Sequence, residues 1–193
     1  MTQLNLTSFF QIYDIETCFD KLNLKECIMD LYDAGLQNDK LNFLYLENKH
    51  CQVSVKTNSG PTKIIQVNDI VLQGTLWSGI MCMAQMDKLS QNSKNSKNNY
   101  LYKGKEEVGP LEMVDDILVP ANCGKESIHI NSKVNSFMEA KNLKLSKDKC
   151  HKMHVGKKKS TCPILKVHQQ NMSDSNQEKY LGDILVNDGK ISK

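Results

Sequence analysis

The sequence predicts an α+β fold with an antiparallel sheet of the split βαβ type. Three observations carry this reading. Short apolar runs rich in β-branched and aromatic residues recur along the chain and read as strands. Segments with apolar residues at helical spacing lie between them. The resulting order, β-α-α-β-β-α-β-β-α-β followed by a β-rich tail, interleaves helices with hairpins.

Each element has its own signal. "SFFQIYDI" (8–15) reads as a buried strand ending near Asp14. "NLKECIMDLYDAG" (23–35) reads as a helix. Asn23 is its N-cap, with Glu26 three residues on as in a capping box, and Gly35 closes the C-terminus. Leu24, Cys27, Ile28 and Leu31 form its apolar stripe. A second helix is expected over 38–49, with Leu41, Leu44 and Tyr45 on one face. "CQVSVKT" and "KIIQVNDIV" flank "NSGP", a hairpin signal. "WSGIMCMAQMDKL" (77–89) predicts a third helix whose core side is filled by Met81, Met83 and Met86. The polar tract "SQNSKNSKNN" (90–99) reads as a surface loop, and "YLY" (100–102) as a short strand. Residues 111–119 read as two strands hinged at Asp115–Asp116. "ESIHINSKVNSFMEAKNL" (126–143) is a helix with Ile130, Val134, Phe137 and Met138 on one stripe. The remainder reads as short strands around Leu145, "KMHV", "PILKV" and "YLGDILV".

Composition narrows the class. The chain has 193 residues, 39% hydrophobic and 24% charged, as in a globular protein. Mean hydropathy of -0.47 and the lack of a long apolar run argue against a transmembrane helix. The start, "MTQLNLTSFF", lacks the basic and apolar regions of a signal peptide. Seven cysteines without a CxxC pair read as reduced thiols. An intracellular protein, cytoplasmic or nuclear and not secreted, is the expectation. All 25 basic residues are lysine. Eight of them, Lys141, Lys144, Lys147, Lys149, Lys152, Lys157, Lys158 and Lys159, crowd one stretch of the sequence. Lysine is a diffuse point charge, without the bidentate fork of arginine. Nucleic acid bound there would be held by its backbone, not read at its base edges. A solvated lysine-rich face is the other reading of the same residues.

The stretch "EMVDDILV" (112–119) places two adjacent carboxylates in an apolar run. A solvated hairpin tip is one explanation; a bound cation is the other. Asp14 ends the first core strand, and in a split βαβ sheet that strand can neighbour the Asp115–Asp116 hairpin. Three clustered carboxylates need a counter-charge, because like charges disfavour one another's ionisation. Mg²⁺ takes oxygen ligands and binds through one or two carboxylates plus substrate phosphates. Two such ions stabilise the attacking and leaving oxygens of an in-line displacement. The chemistry this points to is phosphoryl transfer.

At these residues the chain resembles the reverse transcriptases, with the flavour of the non-long-terminal-repeat retrotransposon type. "YDIETCFDKL" (13–22) resembles the motif with a metal-binding Asp and an aromatic five residues on. "VLQGTLWSGI" (71–80) is similar to the Gln-Gly turn entering a helix, and "MVDD" (113–116) to the two-Asp hairpin. "LKLSKDKC" (143–150) resembles the lysine motif, and "EKYLGDIL" (178–185) the primer-grip hairpin. The five stand in the family's order. Two departures are visible: Met113 stands where the family usually has an aromatic, and Trp77-Ser78-Gly79 where Leu-Ser-Pro is usual.

The resemblance implies a ferredoxin-like polymerase palm over 1–160 with part of the fingers (38–72), and a primer-grip-like β-rich tail over 161–193. It implies an RNA-directed DNA polymerase, a nucleotidyltransferase with two Mg²⁺ ions (or Mn²⁺). Asp14, Asp115 and Asp116 are the implied catalytic residues and metal ligands, with the Ile15 carbonyl as a backbone ligand. Phe19 is the implied steric gate under the incoming sugar. Gln73 and Gly74 would approach nucleotide and template, Lys149 the leaving pyrophosphate, and Tyr180, Leu181 and Gly182 the primer end. The implied partners are an RNA template, a DNA primer, deoxynucleoside triphosphates, and fingers and thumb segments of a larger polyprotein. The chain reads as a truncated copy of such a polyprotein. Two alternatives stand beside this. One is a catalytically inactive relic. The other is a zinc-held nucleic-acid-binding module built from Cys150, His151, His154, Cys162 and His168, since Cys and His are zinc ligands. The irregular spacing and the strand-like alternation of "HKMHV" speak against zinc.

Overall fold

The computed structural model describes residues 8–94, 100–102, 106–156, 162–188 and 191–192. Two compact units divide the chain, Met1–Glu16 with Asp87–Lys193 and, inserted between them, Thr17–Met86.

Strand β1 (Ser8–Asp14) opens the first unit. Phe9, Ile12 and Tyr13 are buried, as is Gln11, so both faces of the strand are covered. The inserted unit begins with a four-residue helix α1 (Cys18–Lys21), whose N-cap Thr17 makes no side-chain cap hydrogen bond. Helix α2 (Leu24–Asp33) follows, and the Asn23 side chain accepts from the Lys25 and Glu26 amides as a cap should. Helix α3 (Asn38–Lys49) buries Leu41 and Leu44. The predicted hairpin is β2 (His50–Val53) against β5 (Ile65–Asn68), with β3 (Lys56–Thr57) and β4 (Gly60–Pro61) paired inside it.

Helix α4 (Leu76–Lys94) starts where expected, because Thr75 caps it by accepting from the Ser78 amide at 3.2 Å. It runs further than the polar tract suggests: residues 90–94 are helical, and the Gln91 amide donates to Asp87 one turn back. Residues 95–99 of the expected loop lie outside the described residues. Met81 and Met86 are buried in line with a core role, but Met83 is exposed. It stands two positions after Met81, on a different helical face.

The rest of the first unit comprises β6 (Tyr100–Tyr102) and β7 (Glu106–Val108), then β8 (Leu111–Met113) and β9 (Asp116–Ala121). The turn between β8 and β9 is Val114–Asp115, and Asp116 is already the first residue of β9, one position from the expected hinge. Helix α5 is Gly124–Ala140, not 126–143. Its start is fixed by Glu126, which accepts from the Asn122 amide at 2.7 Å. Its end is a Schellman closure. Asn142 is left-handed (φ 54), its amide donates to Glu139, and the Leu143 amide donates to Met138.

The tail contains β10 (His151–Val155), β11 (Lys166–Val167), β12 (Gln170–Asn171), β13 (Ser173–Asp174), β14 (Gln177–Tyr180), β15 (Asp183–Val186) and β16 (Ile191–Ser192). "PILKV" forms a strand only at its last two residues, and Leu145 makes a single bridge to Ile15.

The main sheet has the order β13-β10-β1-β9-β8. Strands β10, β1, β9 and β8 are antiparallel to their neighbours, as predicted, but β13 joins β10 in parallel, so the sheet is mixed. Helix α5 covers the face that carries Gln11 and Tyr13. Gln11 donates to Ser127 at 3.1 Å, and Asn131 donates to the Tyr13 hydroxyl at 3.0 Å. Strand alternation then puts Asp14 on the face away from α5. Among the described residues, no helix is long and apolar enough to cross a membrane.

Candidate active site

The site is built at one end of the three inner strands. Asp14 is the last residue of β1 and stands directly opposite Asp116, the first residue of β9. Cross-strand partners share a face, so both carboxylates lie on the side away from α5. Asp115 precedes Asp116 in the two-residue turn. Val114 in that turn has φ 61, a left-handed conformation costly for a β-branched residue. All three aspartates are half-buried.

The electrostatics follow from this packing. Burial pushes the Asp116 carboxyl above the usual carboxylate range; the charges of Asp115 and then Asp14 push the same way, and Lys149 opposes them. The Lys149 ammonium lies 3.4 Å from each oxygen of Asp14. It is carried by the turn between Leu145 and β10, and that turn is tied to β1. The Ser146 amide donates to the Asp14 carbonyl and the Glu16 amide to the Lys144 carbonyl, both at 2.8 Å. Those bonds occupy the β10 side of Asp14 and Glu16. By the alternation of an antiparallel ladder, the carbonyl of Ile15 points to the other side, the side of β9 and its turn.

The tail reaches the same hairpin. Tyr180 and Asp183 face each other across Leu181 (φ 50) and Gly182 (φ 92), a two-residue turn with both residues left-handed. The Tyr180 hydroxyl donates to the Leu111 carbonyl in β8 at 2.8 Å. Its ionisation is pushed up to about 12 by burial, then by the charges of Asp116 and Glu112. Nothing in "EKYLGDIL" marks Tyr180 as a brace for β8; that contact needs the fold.

The structure therefore brings together Asp14, Ile15, Asp115, Asp116, Lys149 and, through β8, Tyr180. Phe19, Gln73 and Gly74 belong to the inserted unit. Phe19 is half-buried in α1. Gln73 and Gly74 form the exposed turn before α4; Gly74 has φ 87 and open space where a Cβ would stand. Another backbone could thus approach closely there.

The Cys/His group has separate partners. His151 pairs with Glu178 at 3.7 Å, His154 packs edge-on against Phe9, and His168 accepts from the Leu145 amide at 3.2 Å. The Cys150 thiol donates to the Asp14 carbonyl at 3.8 Å, and Cys162 is half-buried. Of the clustered lysines, Lys152 is buried and donates to the Pro163 carbonyl at 2.7 Å, so it leaves the basic face; Lys157 to Lys159 lie outside the described residues.

Among the described residues, no three His, Cys, Asp or Glu side chains converge closely enough to enclose a metal ion by themselves. A closed zinc-type cage is thus not what the aspartates form. Two carboxylates on one face, with a backbone carbonyl turned to the β9 side of the same strand end, make a hard-oxygen donor set. That set fits Mg²⁺, which keeps several waters and takes few protein ligands.

An α+β sheet with paired carboxylates at a strand end and a lysine beside them is a palm-like arrangement. A family model described as reverse transcriptase (RNA-dependent DNA polymerase) matches residues 1–185. The chain belongs to the reverse transcriptase family. Among solved structures it is similar to apo telomerase from Candida tropicalis truncated from its C-terminal domain, with a TM-score of 0.63 and 15% identity. That match covers 100% of this chain and 36% of the other. Telomerase from Candida albicans, in complex with the TWJ fragment of telomeric RNA, matches with a TM-score of 0.62 and 15% identity, over 96% of this chain and 30% of that one. At these identities the likeness is one of fold. The chain spans about a third of the length of the structures it matches. No curated protein sequence matches it.

Proposed function

We propose that this chain is the palm of an RNA-directed DNA polymerase that adds deoxynucleotides to a DNA primer on an RNA template. The observation that carries the reading is the Asp14–Asp116 pairing across β1 and β9, with Lys149 against Asp14. Asp14, Asp115, Asp116 and the Ile15 carbonyl would hold two Mg²⁺ ions. Bound there, the ions would neutralise phosphate charge and stabilise the entering and leaving oxygens.

The chain's own groups do the rest. The aspartates orient the reacting phosphate by fixing where cations can sit. Lys149, whose side chain is exposed, releases Asp14 and turns to the leaving pyrophosphate as charge stabiliser or proton donor. Phe19 gates the sugar, and the Gln73–Gly74 turn admits nucleotide and template. Tyr180, Leu181 and Gly182 support the primer end, and the exposed lysines of 141–149 hold nucleic-acid backbone. In this reading residues 1–160 are the palm, 38–72 part of the fingers, and 161–193 the primer-grip tail. The source is a retroelement polyprotein of the non-long-terminal-repeat type, acting inside the cell.

The test is primer extension on an RNA template, with this chain alone and fused to fingers and thumb segments of a close relative. The fusion is expected to synthesise DNA and to lose that activity in the Asp115→Ala, Asp116→Ala double variant. Synthesis that survives the double variant would refute the assignment.

A further inference from the structure

We propose that Cys18 and Cys82 are a reversible dithiol–disulfide modification site inside the Thr17–Met86 unit. Their sulfurs lie 3.4 Å apart, although the two residues are 64 positions apart in sequence. Both side chains are buried, at 3% and 0% exposure. Other buried thiols are arranged differently. Cys27 donates to the Gln85 side-chain oxygen, Cys51 to the Glu47 carbonyl and Cys150 to the Asp14 carbonyl. Cys18 and Cys82 meet sulfur to sulfur.

Closing the bond requires the sulfurs to approach to about 2.05 Å. Side-chain rotation and a small shift of one backbone supply that. Helix α1 is the element able to shift. It is four residues long, and its N-cap Thr17 is left-handed (φ 47) and makes no side-chain cap bond. So short a helix opens locally at little cost, which also admits a reagent to the buried thiols. The partner, Cys82, sits inside the 19-residue helix α4 and stays put.

The oxidant is a small-molecule disulfide such as oxidised glutathione. The thiolate of one cysteine attacks it, forming a mixed disulfide and releasing one glutathione thiol. The second cysteine loses its proton to solvent and displaces the other glutathione. The protein loses two hydrogens, and one oxidised glutathione becomes two reduced ones. The product pins α1, and with it Phe19, to α4. The proposal stands on the contact itself and does not depend on polymerase activity.

The experiment uses the full chain carrying Cys123→Ser, which removes an exposed thiol. It is incubated with oxidised glutathione, quenched by alkylation, digested without reduction and mapped by mass. The expected result is one peptide pair joining Cys18 to Cys82, two hydrogens lighter than the sum of the thiol peptides. Reductant reverses it, and the oxidised form unfolds at a higher temperature than the reduced form, because the cross-link restricts the unfolded chain. The pair is lost in Cys18→Ala and in Cys82→Ala. Recovery of both cysteines only as alkylated thiols, under conditions that oxidise Cys123 in the parent chain, would overturn the proposal. So would a stable glutathione adduct at either one. The map of the Cys123→Ser chain decides the matter even where a Cys18 or Cys82 variant does not fold.

Discussion

The ammonium of Lys149 stands 3.4 Å from both carboxylate oxygens of Asp14, a residue 135 positions earlier in the chain. Lys149 is 69% exposed and Asp14 20%, so water screens the pair. Exposed ion pairs of this kind contribute roughly 0–1 kcal/mol. The pair therefore matters for charge more than for stability: without substrate, Lys149 competes with any cation for Asp14. Lys149→Gln is expected to leave the melting temperature within a few degrees of the parent and to tighten Mn²⁺ binding by the substrate-free chain several-fold. Titration followed by electron paramagnetic resonance reads the second effect. Unchanged or weaker binding would show that the ammonium does not compete for the site.

Asp116→Asn is expected to stabilise the chain at neutral pH while weakening Mn²⁺ binding. Burial and the charges of Asp115 and Asp14 all disfavour the ionised Asp116 in the folded state. The sign follows from the linkage: a carboxyl raised on folding lowers stability above its folded value, and acidification relieves it. The parent should gain stability on mild acidification through the carboxylate range, and the Asn variant should gain less. Thermal melts at neutral and mildly acidic pH compare the two, and an Asn variant less stable than the parent at neutral pH would contradict this electrostatic account.

The carboxylates were legible in the sequence because charge inside an apolar strand is rare enough to need a cause. The ends of β1 and α3 and the cap of α2 were legible for local reasons of period and capping. What was not legible depends on contacts far apart in sequence or on unusual backbone. His168 (φ 47) and Gln169 (φ 67) turn β11 into β12 without the Asn-Gly signal of such turns. The parallel β10–β13 pair is two residues long, too short to leave a period. The division at Met86/Asp87 carries no linker composition, because α4 runs through it. One missed signal was available. Gln11 and Tyr13 are polar groups spaced by two in a strand that reads as fully buried, and such groups need partners.

Those partners give the next prediction. The Tyr13 hydroxyl donates to Gln11 at 2.6 Å, Gln11 donates to Ser127, and Asn131 donates to Tyr13 while its own oxygen accepts from the Lys166 amide at 3.1 Å. Burial pushes Tyr13 ionisation far up. Removing one member strands the others away from water, at about 1–3 kcal/mol per lost partner. Asn131→Leu is expected to destabilise by about 3 kcal/mol, more than Asn135→Leu one turn on, at the edge of the network. Urea unfolding of the two variants measures the difference, and equal effects would mean that the network contributes no more than its packing.

Alkaline pH should expose Cys150. Burial pushes its thiol from the ordinary 9.0 up to about 11; the charges of Asp14 and Glu16 add to this, and the bond to the Asp14 carbonyl opposes it. The folded chain holds this proton after the unfolded chain has lost it. Its contribution to stability is thus intact below pH 9 and is lost between about 9 and 11. Reaction with iodoacetamide near neutral pH should spare Cys150 while consuming the exposed Cys123. Mass mapping that finds the two modified at the same rate would contradict this placement.

The turn that carries Asp115 is predicted to be strained, and the strain can be released. Val114 at φ 61 places a β-branched side chain in the left-handed region, at a cost of roughly 1–2 kcal/mol. Only Val114–Asp115 separate Met113 from its partner Asp116, so no longer loop can absorb the conformation. Val114→Gly removes the steric term and adds flexibility to the unfolded chain, worth roughly 0.5–1 kcal/mol in the other direction. The net expectation is a gain of up to about 1 kcal/mol, or about 2–4 °C in melting temperature for a chain of this size. Val114→Pro, whose ring holds φ near -65°, cannot adopt the turn and should lose several kcal/mol, about 3 or more. Strain kept at such a turn fits a functional position, where geometry is held at the expense of stability. Thermal melts of the two variants and the parent decide it: a glycine variant that melts well below the parent would show that Val114 is held by its packing and stores no strain.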